Sequence, residues 1–184
     1  MSNEQNIFEV LSKLRMEMKE NYNRVLPTNE LLFNRWEKAS LLNCGKNSSV
    51  YDTSVVMGDV EIGADVWIGP YTLLEGLNGK IKIGDFCHLS SGVQIVTHDT
   101  VKFVLTSGRE EAAKGDVIIK NNTYIGGMSI ITKNVTIGHH CVIGANSLVN
   151  KNIPDYSIAF GTPVKIVGKV IMKDGEVELQ YFSE

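Results

Sequence analysis

The chain has 184 residues, 43% of them hydrophobic, and a formal net charge of −3. This length predicts one domain with enough apolar side chains for a core. The negative charge gives no electrostatic basis for a nucleic-acid partner, and no apolar run approaches the ~18 residues that a membrane span needs. Because the polar start MSNEQN is not typical of a signal peptide, we expect a cytoplasmic protein. The odd number and wide spacing of Cys44, Cys87 and Cys141 favour neither a disulfide framework nor a structural zinc site.

Residues 1–45 form a predicted helical segment. Apolar residues recur on one helical face: Ile7, Leu11, Leu14, Met18 and Val25. Ser2 and Gln5 have the spacing of a capping box, and Pro27 is expected to end this helix. A second helix is predicted from Thr28 to about Ser40.

Residues 46–170 follow a six-residue period. Branched apolar residues occupy every sixth position in three blocks: Val50, Val56, Ile62, Ile68 and Leu74; Ile83, Leu89 and Ile95; and Ile125, Ile131, Ile137, Ile143 and Val149. A helix face repeats every ~3.6 residues and a strand face every 2, so each hexad is a short strand plus a turn. Three hexads close one coil of about eighteen residues. We therefore predict a parallel β-helix; a β-sandwich is the alternative, but its geometry fixes no such period.

The helical segment is expected to cover the open end of the first coil, where apolar side chains and strand edges would otherwise be exposed. Trp36 is expected to pack there, and a contact with a sugar is the alternative. Residues 171–184 are predicted to be a C-terminal tail.

Two insertions interrupt the repeat, a short one at residues 75–80 and a long one at residues 99–116. Long loops in compact domains are usually functional or disordered. This loop contains Val101 and Phe103 among other apolar residues, so we expect it to pack against another surface, such as a neighbouring subunit. His98 lies where the loop begins, and an imidazole is suited to remove a proton near neutral pH.

The hexads, the stretch SSGVQIVTHDTVKF and the closing GTPVKIVGKV resemble the left-handed β-helix acyltransferases over roughly residues 50–170. The most similar patterns are those of sugar O-acetyltransferases and of nucleotide-linked aminosugar N-acyltransferases from bacterial polysaccharide pathways. The resemblance implies an all-β fold: a left-handed parallel β-helix of hexapeptide repeats with an N-terminal helical cap and one long loop insertion. The left hand is implied by the resemblance alone.

The resemblance also implies site residues. It identifies His98 as the general base, and Gly127 in YIGGM as a contact of the acyl-coenzyme A and of the oxyanion. It places further cofactor contacts at four positions: Ala145, Asn150, Lys151 and Lys165. Gly168 departs from the pattern, because relatives often have a second basic residue there.

The acceptor side differs from that of the simple sugar O-acetyltransferases. Pro70 lies about where those enzymes have an Asn that binds the sugar, and proline has no donor to offer. Trp67 and Glu75 belong to the same coil and are predicted to contact a different sugar. Asp99 follows His98 directly and either orients it or accepts a bond from the sugar.

The predicted function is N-acetylation, from acetyl-CoA, of a nucleotide-linked amino sugar of the 4-amino-4,6-dideoxyhexose class, for surface polysaccharide or glycan synthesis. The alternatives are an O-acetyltransferase of a free or glycan-linked sugar, a metal-dependent β-helix enzyme and a non-enzymatic β-helix scaffold. No metal is expected, because His139 and His140 are adjacent and point to opposite faces. No membrane partner is expected, and the resemblance implies a homotrimer with sites between subunits.

Overall fold

The computed structural model of the protein describes residues 6–183. The predicted capping box at Ser2 and Gln5 lies outside these residues. The helices are α1 (Ile7–Tyr22), α2 (Thr28–Leu32), α3 (Arg35–Leu41) and α4 (Val101–Leu105). The strands are β1 (Ser49–Val50), β2 (Val55–Ile62), β3 (Trp67–Ile68), β4 (Leu73–Ile83), β5 (His88–Leu89), β6 (Gln94–Val96), β7 (His98–Asp99), β8 (Ala113–Lys114), β9 (Val117–Ile119), β10 (Tyr124–Ile125), β11 (Ile130–Ile131), β12 (Val135–Ile137), β13 (Val142–Ile143), β14 (Leu148–Val149), β15 (Ser157–Phe160), β16 (Lys165–Lys173) and β17 (Glu176–Tyr181).

These strands stack into three walls of a parallel β-helix. Wall 1 consists of β1, β3, β5, β10, β13 and β15. Wall 2 consists of the first halves of β2 and β4 with β6, β11 and β14, and wall 3 of the second halves of β2 and β4 with β9 and β12. Tyr124 pairs with Val142, and Ile130 with Leu148, so partners on adjacent coils are eighteen positions apart. The predicted hexapeptide-repeat β-helix is confirmed.

The sixth-position side chains form the core of the stack. Those with an exposed fraction of 2% or less are Val50, Ile68, Leu74, Ile83, Leu89, Ile95, Ile125, Ile131, Ile137, Ile143 and Val149. Small polar residues fill the second inward position, where Ser129 and Ser147 donate hydrogen bonds of 3.0 and 2.6 Å to the carbonyl of Gly144. The buried hydroxyls are therefore satisfied without a gap in the apolar column.

Helix α3 covers the open end of the first coil. Ala39 is only 3% exposed and belongs to the core cluster, against which Leu42 and Cys44 also pack. Trp36 does not share this burial: it is 52% exposed, and the guanidinium of Arg35 lies 4.2 Å from its ring centroid. The expectation that Trp36 packs in the cap is therefore wrong, because this face of α3 points away from the coil.

Asparagines set both ends of α1 and the start of α3, whereas Pro27 lies at the start of α2. Asn6 caps the start of α1, and α1 ends where Asn23 adopts a left-handed conformation, four residues before Pro27. The predicted helix over 28–40 is two helices, because Asn34 is extended and its side chain caps the start of α3. Asparagine suits both roles, since its short side chain bonds to nearby amides and it tolerates positive φ.

The chain after residue 170 continues the sheet of wall 1. β16 pairs antiparallel with β15, and β17 pairs antiparallel with β16. The segment 171–184, predicted as a tail, therefore contains most of a β-hairpin. Among residues 6–183, no helix is long and apolar enough to cross a membrane.

Candidate functional site

Two corners of the β-helix contain most of the predicted site residues. The loop corner is made of the turns that join wall 2 to wall 3: 75–80, 97–116, 132–134 and 150–152. The glycine corner is made of the turns that join wall 1 to wall 2: 51–54, 69–72, 90–93, 126–129 and 144–147. Wall 2 separates the corners, and three or four residue steps lead from one corner to the other, roughly 10 to 13 Å at ~3.3 Å per residue.

Both insertions lie at the loop corner, on successive coils. The amide of Asn78 donates to Oγ1 of Thr97 at 3.3 Å, and the amide of Lys80 donates to Oδ1 of Asp116 at 2.8 Å. Ile83 pairs with Ile119, which lies two coil lengths rather than one further along the chain. The long insertion therefore leaves and rejoins the stack without changing its register.

The long loop has structure of its own. At its root, His98 pairs with Lys114 in a short antiparallel ribbon of β7 and β8. Its outer part forms α4, in which Phe103 is 48% and Val104 67% exposed. The loop therefore presents apolar surface that the rest of the described chain leaves uncovered.

His98 faces a buried carboxylate at the loop corner. Its Nδ1 lies 2.7 Å from Oε2 of Glu75, which is 5% exposed. Oε1 of Glu75 accepts a hydrogen bond from the amide of Leu77 at 2.9 Å, and Oε2 accepts from the amide of Thr97 at 3.4 Å. The side chain predicted to contact a sugar is instead directed at protein groups, because the two insertions enclose it.

The charge of Glu75 decides which nitrogen of His98 carries a hydrogen. Burial acts to raise the pKa of Glu75, but hydrogen bonds from His98 and from the amides of Leu77 and Thr97 hold it below its ordinary value. An ionised carboxylate only accepts hydrogen bonds, so Nδ1 must donate. A neutral His98 then keeps the lone pair of Nε2 for another partner. The His98 side chain is 32% exposed and can therefore be reached from solvent.

Asp99 does not touch the ring of His98. Its carboxylate forms an ion pair with Lys133, on the next coil, and accepts a hydrogen bond from the amide of Val101. The lysine contact and this amide hold the pKa of Asp99 below its ordinary value. Asp99 therefore fastens the start of the loop to the stack, while His98 is oriented by Glu75.

The glycine corner contains Gly127, Ala145 and, next to it, Lys165. The amides of Gly127 and Ala145 donate no hydrogen bond to any of residues 6–183. A Cβ on Gly127 would lie 3.1 Å from the carbonyl oxygen of Ser91, so this turn has little spare room. Exposed Lys165 opens β16 opposite Phe160. The corner thus offers two unused amide donors and one cation, which suits a polar, anionic ligand.

The structure does not bring all the predicted residues together in one chain. His98 and Gly127 lie at opposite edges of wall 2. Asn150 and Lys151 lie at the loop corner with His98, and not with Ala145. Trp67 lies on wall 1, between the rings of Tyr51 at 5.7 Å and His88 at 5.6 Å. No contact in one chain joins these groups to His98.

Two contacts of the predicted site residues were missed from the sequence. The role of Glu75 as the partner of His98 was signalled only by its place directly after Leu74, where the repeat breaks. Lys133 carried no signal beyond its place in a turn between hexads.

The other histidines lie elsewhere. The ring of His140 stacks on Tyr156 at 5.0 Å, and His88 is exposed on wall 1. Within residues 6–183, no three His, Cys, Asp or Glu side chains converge as metal ligands would.

Comparison with known proteins identifies related sequences. Residues 116–151 match the model of the bacterial transferase hexapeptide (six repeats). A Staphylococcus aureus protein described as a candidate acetyltransferase is 40% identical over 79 residues, which span 43% of this chain and 39% of that protein. The dTDP-3-amino-3,6-dideoxy-alpha-D-galactopyranose 3-N-acetyltransferase of Aneurinibacillus thermoaerophilus is 41% identical over 56 residues, which span 30% of this chain and 29% of that enzyme.

Solved structures are similar over more of the chain. AntD, an N-acyltransferase from Bacillus cereus in complex with dTDP-4-amino-4,6-dideoxyglucose and coenzyme A, is 30% identical with a TM-score of 0.62, over 68% of this chain and 71% of that one. A hexapeptide-repeat acetyltransferase from Vibrio cholerae, complexed with acetyl coenzyme A, shares the fold at 24% identity and a TM-score of 0.55, over 92% of both chains. The stacked hexads and the similarity to AntD lead to one conclusion: the chain belongs to the hexapeptide-repeat acyltransferases.

Proposed function

We propose that this protein transfers an acetyl group from acetyl-CoA to the amino group of a nucleotide-linked amino sugar of the 4-amino-4,6-dideoxyhexose class. The observation that carries the proposal is the contact of 2.7 Å between buried Glu75 and Nδ1 of the partly exposed His98. A histidine held in this way has its second nitrogen available as a general base. The similarity to AntD, which is bound to a dTDP-linked amino sugar, supports this class of acceptor.

The chemistry follows from the orientation of His98. The neutral amine of the acceptor attacks the thioester carbonyl, and Nε2 of His98 takes the proton that the nitrogen loses as the C–N bond forms. The tetrahedral oxyanion then collapses and the C–S bond breaks. The coenzyme A thiolate receives the proton from His98, so the products are an amide and a free thiol. Glu75 stabilises the imidazolium in between, because its carboxylate faces Nδ1.

The glycine corner is the proposed site of the acetyl-CoA. The amides of Gly127 and Ala145 are unused donors that can bind the thioester oxygen or the pantetheine arm. Lys165 is placed for a phosphate of the coenzyme, and Asn150 and Lys151 are assigned to the same ligand from a neighbouring copy.

A complete site therefore requires two copies of the chain. In one chain, His98 and Gly127 are separated by at least the width of wall 2, roughly 10 to 13 Å, whereas base and thioester must be in contact through the acceptor atom. Two copies that bring the loop corner of one against the glycine corner of the next remove this separation. Repetition of that contact around a threefold axis gives the homotrimer that we propose.

The direct test is a panel of acceptors. The purified protein is incubated with acetyl-CoA and one acceptor at a time, and release of the coenzyme A thiol is followed. The matched pair is a nucleotide-linked 4-amino-4,6-dideoxyhexose and the same compound with a hydroxyl in place of the amine. We expect thiol release with the amine only. Release with the hydroxyl compound or with free glycosides instead would replace the proposal by O-acetylation, and no release with any acceptor would contradict acetyl transfer.

A further inference from the structure

Two arginines of the helical cap converge on one hydroxyl oxygen. Nη2 of Arg24 and Nη1 of Arg35 each donate a hydrogen bond of 2.9 Å to Oη of Tyr51. The two donating nitrogens are therefore no more than twice that distance apart. Arg24 follows α1, Arg35 begins α3 and Tyr51 follows β1, so three separate parts of the chain create this convergence.

The positive charges at this point are not neutralised by the surrounding chain. Among residues 6–183, neither Arg24 nor Arg35 forms an ion pair with a carboxylate. Glu30 lies nearby, but its Oε1 accepts hydrogen bonds from the amide and the hydroxyl of Thr53, at 2.9 and 2.8 Å. Nε of Arg35 is buried and has no hydrogen-bond partner among the described residues. Like charges held this close repel each other unless an anion lies between them.

The arginines line a cavity of ≈ 180 Å³ together with Glu30, Phe33, Trp36 and Tyr51. This volume is large enough for a small anion, and it is below the ~300 Å³ at which pockets begin to hold drug-sized ligands. The guanidinium of Arg35 is held 4.2 Å from the ring centroid of Trp36 and 5.2 Å from that of Tyr51. A guanidinium fixed in this way is oriented to bind a tetrahedral oxyanion through two N–H groups.

We propose that the Arg24–Arg35–Tyr51 cavity binds a phosphate group. A single phosphate fits the volume, offers acceptors to both guanidiniums and supplies the missing negative charge. The phosphate can be inorganic or part of a nucleotide, and the chemistry of recognition is the same. Of the cavity lining, Tyr51 belongs to the glycine corner, at the opposite end of the stack from Ala145. The cavity contains none of the residues proposed for acetyl transfer, so the inference stands independently of the proposed function.

The test uses thermal unfolding, because a ligand that binds only the folded protein raises the melting temperature. Unfolding is followed in inorganic phosphate and in sodium chloride of equal ionic strength. We expect phosphate, and not chloride, to raise the melting temperature of the unmodified protein and of Lys82→Gln. Lys82 is exposed on wall 3, so this control removes the same charge far from the cavity. Arg35→Gln should abolish the rise in melting temperature that phosphate causes. Arg24→Gln, which leaves α3 intact, should need at least tenfold more phosphate than the unmodified protein to reach the same rise.

Two further ligands identify the source of the phosphate. If a nucleoside diphosphate raises the melting temperature at tenfold lower concentration than inorganic phosphate does, the cavity is assigned to a nucleotide. If the two ligands act at equal concentrations, the cavity is assigned to a free phosphate. The inference is overturned if phosphate has no more effect than chloride, if both arginine variants respond as the unmodified protein does, or if the nucleoside without phosphate is as effective as the diphosphate.

Discussion

The carboxylate of Glu75 lies 2.7 Å from Nδ1 of His98, although 23 positions separate the two residues in the sequence. Replacement of Glu75 by Gln keeps the shape but removes the charge that fixes the tautomer of His98. We expect kcat to fall by roughly 10²-fold, the lower end of what a general base contributes, with little change in the Michaelis constant for acetyl-CoA. Steady-state kinetics measure both values. Glu61→Gln, at an exposed site on wall 3, is the control. An unchanged kcat would show that Glu75 has no part in positioning His98.

Removal of the proposed base itself should have a larger effect. His98→Ala is expected to lower turnover by roughly 10²- to 10⁴-fold, while circular dichroism shows an unchanged fold. His139→Ala is the matched control, because His139 lies in the turn between β12 and β13, away from both corners. Turnover of His98→Ala within a few-fold of the unmodified protein would exclude His98 as the base.

The lowered pKa of Glu75 predicts a pH dependence of stability. Because the folded-state pKa is below the unfolded value of about 4.3, the ionised form stabilises the folded protein above that pH. This stabilisation is lost as the pH falls through the lower, folded-state value. Urea unfolding should therefore show Glu75→Gln less stable than the unmodified protein at pH 7, with a gap that narrows in acid. A gap that stays constant from pH 7 down to pH 3 contradicts the ionised pair.

Lys165 is expected to bind a phosphate of the coenzyme, far from the reacting atoms. Lys165→Ala should therefore raise the Michaelis constant for acetyl-CoA, with little change in kcat or in the constant for the acceptor. Lys173→Ala, at the other end of β16, is the control. A dephospho-coenzyme A thioester should be less sensitive to Lys165→Ala if the lysine binds the missing phosphate. A defect confined to the acceptor would place Lys165 at a different ligand.

The exposed apolar face of α4 is expected to contact a neighbouring subunit. Each apolar side chain that becomes fully buried there contributes about 1.5 to 3 kcal/mol. The double variant Val101→Ser and Phe103→Ser should therefore weaken the trimer and the activity together, whereas Lys102→Ser should leave both unchanged. Sedimentation measures the assembly. A fully active monomer of 20.3 kDa would rule out a site shared between copies.

The period of six was enough to predict the walls and their inward residues, because every hexad must place one branched apolar side chain in the core. Leu74, Ile125 and Ile143 are buried for that reason, and their positions follow from counting. The partner of His98 could not be predicted from the six-residue period. Glu75 follows the last regular hexad before an insertion, so its direction depends on how two insertions pack and not on the repeat.

The helical cap shows a second limit of prediction from the sequence. The apolar pattern of α1 indicated a buried face, yet no residue of α1 is buried within this chain. Periodicity shows that a face is apolar, but it does not show which surface covers it. The core is covered instead by α3, which contacts it through the small side chain of Ala39. A small residue gives a weak signal in any hydrophobic pattern.

The pairing of Ile83 with Ile119 has a consequence for how this scaffold can change. The ribbon of β7 and β8 brings the two ends of the long insertion together, so residues beyond it can be added or removed without moving any coil. Each doubling of a flexible loop costs only about 0.6 kcal/mol in closure entropy. The loop is thus a replaceable module. Changes in the length or sequence of this module leave unchanged the apolar column that keeps the protein folded.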